Sequence, residues 1–194
     1  RGASITFTAG GDNAVTTVGS GSSGISYQTI GGGGGYTGST TANADLGGNY
    51  RGSSSGADLT ISSQIDSSTT GSDAAALMIQ TLGGGGGRVG DVGGNANLGG
   101  TSGLLNKTTG YGGDLNITLN SDLTSVGERS AGAIIQTIGG GGGVAGAIGG
   151  NATFGGLGVG DRSGGALTIT VENKIGSGGD NSVGLLAQSI GGGG

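Results

Sequence analysis

Apolar and polar residues alternate in short stretches of this chain. The clearest are Leu59-Thr60-Ile61, Leu115-Asn116-Ile117-Thr118-Leu119 and Leu167-Thr168-Ile169-Thr170-Val171. A period of two belongs to a strand with one buried face. Leu59, Ile61, Leu115, Ile117, Leu119, Leu167, Ile169 and Val171 are expected to point inward. Thr60, Asn116, Thr118, Thr168 and Thr170 are expected to point outward. A weaker version, Ser4-Ile5-Thr6-Phe7-Thr8, precedes them. A second strand phrase follows at a fixed distance: Ala57 to Gln80, Gly113 to Gln136 and Gly165 to Gln188 are equal separations. Its four copies are Tyr27-Gln28-Thr29-Ile30, Ile79-Gln80-Thr81-Leu82, Ile135-Gln136-Thr137-Ile138 and Ala187-Gln188-Ser189-Ile190. Polar turns at 68–73 and 176–181 are expected between the two phrases. Glycines and serines at 19–24 suggest a small insertion in the first copy.

Each second phrase runs into glycine. Runs of five open at Gly31, Gly83 and Gly139 and close at Gly35, Gly87 and Gly143, and four glycines begin at Gly191. The run starts are 52, 56 and 52 residues apart. Asn43, Asn95 and Asn151 each lie 12 residues beyond the first glycine of a run. Beyond them one segment varies: 49–56 and 157–164 are equal in length, whereas 101–112 is longer. An insertion confined to one place reads as a surface loop on a regular scaffold. The chain is one repetitive segment, 1–194, with repeats near 31–82, 83–138 and 139–190.

A unit of this size with three short strands cannot close a core alone, but stacked copies can. The expected fold is all-β: a right-handed parallel β-helix, or β-solenoid, of 52–56-residue repeats with ordered polyglycine segments. Ile30, Leu82, Ile138 and Ile190 would stack as an apolar ladder. Gln28, Gln80, Gln136 and Gln188 share that face, and their amides could bond along the stack. Asn43, Asn95 and Asn151 would form another ladder at a turn where asparagine tolerates positive φ. The glycine runs could be flexible linkers. Their constant placement points instead to ordered, extended segments resembling polyproline II, packed backbone to backbone.

Composition narrows the possible chemistry. The 194 residues include 55 glycines and no proline, cysteine, histidine or tryptophan, with a net charge of −5. Glycine without a strict three-residue period, and without proline, excludes collagen. Nucleic acid finds no basic stripe or aromatic platform. No apolar stretch is long enough to span a membrane. Catalysis lacks a histidine base and a cysteine nucleophile, and no serine has an evident base partner. Asp58 and Asp114 recur at one repeat position, but Ala166 interrupts the column, so they read as solvated residues. Asp12 and Asp180 read as turn residues rather than calcium ligands. No lysine follows a glycine run as a phosphate loop requires. The outward threonine rows are too mixed for an ice-binding face. No catalytic residue, metal site or cofactor is expected.

The phrase Gly184-Leu185-Leu186-Ala187-Gln188-Ser189-Ile190 and its glycines, preceded by Gly179-Asp180-Asn181-Ser182, resembles repeats of giant bacterial surface proteins. These are autotransporter passenger regions and filamentous-haemagglutinin-type exoproteins, and the resemblance covers nearly the whole chain. It implies a β-helical stalk, export across two membranes, and an extracellular or cell-surface location. The expected function is a structural segment of an extracellular filament or bacterial cell-surface stalk. The alternative is an adhesin whose loop at 101–112, with Lys107 and Tyr111, contacts a host or neighbouring cell. A polysaccharide-acting β-helical enzyme would need a groove of clustered acids and bases that is not evident. With no capping element visible at either end, the expected partner is the chain itself, through end-to-end or lateral association or continuation of a longer chain.

Overall fold

A computed structural model describes residues 5–11, 13–32, 34–46, 54–84, 86–98, 110–140, 142–154 and 162–191. Among them there is no helix. The first repeat holds β1 (Ile5–Ala9), β2 (Ala14–Thr17), β3 (Ile25–Ile30), β4 (Gly34–Thr37), β5 (Ala44–Leu46) and β6 (Ser54–Ser55). The second holds β7 (Leu59–Ser63), β8 (Asp66–Thr69), β9 (Leu77–Leu82), β10 (Gly86–Val89), β11 (Ala96–Leu98) and β12 (Gly110–Tyr111). The third holds β13 (Leu115–Leu119), β14 (Leu123–Ser125), β15 (Ala131–Ile138), β16 (Gly142–Ala145), β17 (Ala152–Phe154) and β18 (Arg162–Ser163). Then follow β19 (Leu167–Val171), β20 (Ile175–Ser177) and β21 (Val183–Ile190).

All pairing between these strands is parallel, and each strand pairs with its counterpart one repeat away. The six sheets are β1-β7-β13-β19, β2-β8-β14-β20, β3-β9-β15-β21, β4-β10-β16, β5-β11-β17 and β6-β12-β18. Like residues therefore meet like residues. Ile5, Leu59, Leu115 and Leu167 form one column, and Phe7, Ile61, Ile117 and Ile169 another. The alternation seen in the sequence fixes the faces. Leu59, Ile61, Leu115, Ile117 and Leu119 are buried, while Thr60 and Asn116 are exposed. Leu167 and Ile169 are half-buried and Val171 is exposed, because β19 has a partner on one side only.

Three sheets share the main core. Leu59, Ile61, Leu115, Ile117 and Leu119 meet Leu123 of the second sheet and Leu77, Ile79, Ala133 and Ile135 of the third. The third sheet is covered on both faces. Its opposite side contributes Met78 and Ile134 to a small cluster with Ala75 and Ala131, against which Val144 and Leu186 pack. Burial on both faces explains its nearly unbroken apolar reading. Val89, Val92, Ala96 and Leu98 build a separate cluster with Ala44, against which Ala145 and Ile148 pack.

Three expectations need correction. Among the described residues, each of the first three repeats contains six strands, not three. The residues assigned to a turn at 68–73 begin inside β8, and those at 176–181 begin inside β20. Polar residues can build the second sheet where hydroxyls on its inner face bond the backbone: Ser67 Oγ donates to Ala76 O at 2.8 Å, although the buried Ser125 Oγ on the same face has no partner among the described residues. Apolar residues occupy that column in other repeats, so Val15, Ser67, Leu123 and Ile175 align. The small insertion also lies elsewhere. Ala9 pairs with Ser63 and Ala14 with Asp66, so residues 10–13 connect what residues 64–65 connect one repeat later. The glycines at 19–24 serve the following turn instead. The register also changes between Leu98 and Gly110, where the longer repeat gains its extra residues.

Packing differs sharply between the inner and outer strands of the first sheet. Ile117→Ala removes a fully buried side chain and should destabilise the chain by about 2–5 kcal/mol. Val171, 40% exposed, should tolerate alanine at about 1 kcal/mol or less. Chemical denaturation of both variants measures the difference; equal losses would contradict this distribution of packing.

Candidate functional site

The chemistry-bearing side chains stand in rows that run from repeat to repeat. The glutamines form the longest. Gln28 Nε2 donates to Gln80 Oε1 at 2.6 Å, Gln80 Nε2 to Gln136 Oε1 at 2.7 Å, and Gln136 Nε2 to Gln188 Oε1 at 2.6 Å. Parallel pairing sets this geometry, since Gln28, Gln80, Gln136 and Gln188 occupy one register. Gln80 and Gln136 are buried, so each amide meets its polar requirement along the row. Ile30, Leu82, Ile138 and Ile190 stand two positions further on in the same strands and form a parallel apolar row. Leu82 and Ile138 are fully buried; Ile30 and Ile190 are half-buried.

On the opposite face of the same strands runs a row absent from the sequence-based expectations. Thr81 Oγ1 donates to Ala57 O at 3.1 Å and accepts from Gly113 N at 2.9 Å. Thr137 Oγ1 donates to Gly113 O and accepts from Gly165 N, both at 2.8 Å. Thr29 and Ser189 make related bonds to Ala57 and Gly165. Each hydroxyl ties the third sheet to the backbone just before the first-sheet strand. The signal was present in the sequence: Thr29, Thr81, Thr137 and Ser189 all carry a hydroxyl between Gln and Ile or Leu.

At the corners a side-chain oxygen replaces the strand ladder. Asn43 Oδ1 accepts from Asn95 N at 2.8 Å, and Asn95 Oδ1 from Asn151 N at 2.8 Å. This corrects the expected reason for the asparagines. Among the described residues, the non-glycine residues with positive φ are Asp73, Arg129 and Asn181, one in each later repeat, preceded by Gly21 at the equivalent position. Asp58 and Asp114 work as the asparagines do: Asp58 Oδ1 accepts from Asp114 N at 2.9 Å, and Asp114 Oδ1 from Ala166 N at 2.8 Å. Ala166 therefore does not interrupt this function, because only its N–H is required. Asp66 and Asp122 repeat the arrangement, accepting from Asp122 N and Lys174 N.

The glycine runs are strands over part of their length. Gly34, Gly86 and Gly142 share one register, as do Gly35, Gly87 and Gly143. These residues belong to β-ladders instead of the expected polyproline-like packing. The first glycine of each run has a different role. A Cβ on Gly83 would lie 2.6 Å from both Tyr111 N and Tyr111 O. Gly31 meets Ser55 in the same way, and Gly139 meets Ser163. Each run thus opens with backbone against the backbone of β6, β12 or β18. Gly191 is half-buried; Gly33, Gly85, Gly141 and residues 192–194 lie outside the described residues.

Asp73 is the node of a small charged cluster. Its carboxylate accepts from Arg129 Nε at 2.9 Å and from Arg129 Nη2 at 2.8 Å, while Arg129 Nη1 donates to Glu128 Oε1 at 2.6 Å. These bonds, Asp73 first, push the Arg129 pKa up. Arg88 donates to the Asp73 carbonyl and to Ser23 Oγ from a buried position on β10. It fastens the glycine-rich sheet to the turn before β9. Burial likewise raises the pKa of the Tyr27 phenol, whose ring lies 4.8 Å from that of Phe7.

Among the described residues no three acidic side chains converge as metal ligands. Asp12, Lys107 and residues 101–109 of the candidate adhesive loop lie outside the described residues. The end of that loop is not a loop, because Gly110 and Tyr111 form β12 and pair with Ser54–Ser55 and Arg162–Ser163. Comparison with protein-family models, curated proteins and solved structures finds no match to the chain.

The rows and the entry glycines are open to direct test. Gln136→Leu, which strands Gln80 Nε2, should cost roughly 1–3 kcal/mol in denaturation experiments. Gln136→Glu should be worse at neutral pH, since a buried carboxylate cannot donate to Gln188. Burial raises the introduced pKa, so the deficit relative to wild type should shrink as pH falls through it; a pH-independent deficit would refute the donor role. Gly83→Ala should destabilise by about 1–3 kcal/mol through backbone overlap, whereas Gly38→Ala, with open space around its Cβ, should be neutral or gain about 0.4–1 kcal/mol. Thermal melts compare the pair.

Proposed function

We propose that this chain is a structural segment of an extracellular filament or bacterial cell-surface stalk, built as a right-handed parallel β-solenoid. The supporting observation is the register: in all six sheets a residue pairs with its equivalent one repeat away. Backbone hydrogen bonds then run along one direction through every repeat, and the side-chain rows reinforce them. Such continuous bonding resists extension and bending, which is the mechanical requirement of a stalk. Right-handedness is the hand expected of parallel crossover connections. The extracellular setting and export across two membranes rest on the resemblance of the Gln-Ser/Thr-Ile-polyglycine phrase to autotransporter and filamentous-haemagglutinin-type repeats.

Oriented-sample diffraction and labelling on intact cells test the proposal together. The solenoid should give a reflection at about 4.8 Å along the long axis, because strands lie across it. Antibodies against the chain should decorate filaments or stalks on the cells that make it, and cells lacking the gene should lose those structures. Strands running along the axis would defeat the solenoid. Labelling confined to the cell interior would defeat the proposed role.

A further inference from the structure

The corner between the first and second sheets carries polar side chains that the fold does not use. A groove of about 370 Å³ lies there, lined by Asn13, Gln64, Asp66, Asn120 and Asn173 among others. Its size falls in the range of ligand sites, roughly 300–1,000 Å³. All four copies of the corner contribute to it. Asn120 is half-buried and the other four side chains are exposed. Among the described residues, none of the four amides has a hydrogen-bond partner. They differ in this from Gln80 and Gln136, whose amides bond along their row. Nor does the scaffold require an amide here. The position that follows the first-sheet strand is Gly10, Gln64, Asn120 and Glu172 in turn.

Backbone bonds hold the groove in shape. The connection between β1 and β2 is longer than the one at 64–65, and it supplies one wall. Gly11 turns the chain there with a φ of 107°, which glycine adopts without strain. Asn13 N donates to Gly11 O at 2.9 Å, and Asn13 O accepts from Asp66 N at 3.1 Å. Gln64 Oε1 lies over Gly10, 3.1 Å from where a Cβ would stand. Asp66 Oδ1 is fixed by the bond from Asp122 N at 2.8 Å. A second hollow of about 180 Å³ shares Ala14 and Asp66 and continues to Asp122 and Thr124.

We propose that this corner binds a linear, uncharged, β-linked polysaccharide lying along the stack. The lining selects that class. An amide both donates and accepts without carrying charge, as a sugar hydroxyl does, and the Asp66 carboxylate accepts from a hydroxyl. No aromatic or large aliphatic side chain lines the larger groove, so it offers nothing to a nucleobase or a lipid tail. Its one formal charge, at Asp66, is negative and opposes phosphate or sulfate polymers. Spacing favours a linear chain. Gln64 and Asn120 follow the paired Ser63 and Leu119, so they stand one strand apart, about 4.8 Å. Asp66 and Asp122 precede the paired Ser67 and Leu123 and are separated in the same way. Successive sugars of an extended β-linked chain repeat at nearly this distance, so one chain meets like groups at successive repeats. The proposal goes beyond the stalk reading and does not rest on it, since binding is measured on the isolated chain.

Titration calorimetry of the 194-residue chain tests this with cellohexaose and chitohexaose, against α-linked dextran and anionic hyaluronate. At least one of the two β-linked oligosaccharides should bind with a Kd below about 1 mM. Gln64→Ala combined with Asn120→Ala should weaken that binding roughly tenfold. Asn116→Ala, on the outward face of β13 and outside the groove, should leave it unchanged. Circular dichroism and melting temperature establish that the variants are folded. If the double variant is not, Asn173→Ala alone carries the test, with an expected loss of roughly threefold or more. Neither β-linked oligosaccharide binding at millimolar concentration would overturn the proposal. Binding that the groove variants leave intact, or that Asn116→Ala weakens equally, would overturn the site. Equal binding of dextran or hyaluronate would overturn the ligand class.

Discussion

In-register parallel pairing between successive repeats is the constraint on which the rest of the structure depends. It forces each residue to share its surroundings with its own counterparts. An apolar column is then self-consistent: Ile61 on Ile117 buries both. A buried polar side chain is costly unless it finds a partner, in its own row or in neighbouring backbone, since a buried donor without one costs about 1–3 kcal/mol. Glutamine meets this condition because its amide both donates and accepts, and the row from Gln28 to Gln188 uses both functions. Glutamate at the same position would offer acceptors only.

The rows differ in what they join. Glutamine joins side chain to side chain within one face. Threonine at 81 and 137 joins the third sheet to the chain entering the first, thereby holding two sheets around the main core. Asparagine and aspartate act where the chain turns and the ladder would lapse. There a side-chain oxygen takes the N–H of the next repeat, at 2.8 Å for Asn151 and for Ala166. The exposed carboxylates are thus structural acceptors, and their charge is incidental to that work. Bonding resumes on the far side of each corner in the original register.

Much of this was legible in the sequence because periodicity exposes what neighbours share. The inward and outward positions of β7 and β13, and the alignment of glutamines, follow from counting residues. The strands β8, β10 and β12 were hidden for a physical reason. They are rich in serine, threonine and glycine, whose local preferences favour turns, and only pairing with a counterpart a whole repeat away makes them strands. The left-handed turn was hidden too, because Asp73, Arg129 and Asn181 replace the glycine found at 21. The asparagines did recur regularly, but recurrence did not reveal that their oxygens, and not their backbone angles, were required. The charged node at Asp73 and Arg88 could not be read at all, since Arg88 aligns with Tyr36 and Val144 and departs from its column.

The glycine runs carry the constraint to its limit. Each ordered glycine costs about 0.5–1 kcal/mol relative to alanine through lost backbone freedom. A repeated run of five therefore calls for a compensating gain. At Gly31 and Gly83 that gain is proximity: the chain passes so close to Ser55 and Tyr111 that a methyl group would overlap their backbones. Further along, Gly34–Thr37 and Gly86–Val89 add a ladder of their own. A side chain at the entry glycine would push this ladder away from the third sheet, and Arg88 would lose its reach to Asp73 and Ser23. Glycine at that position is what allows the two sets of sheets to share one repeat length, so that a single register serves both.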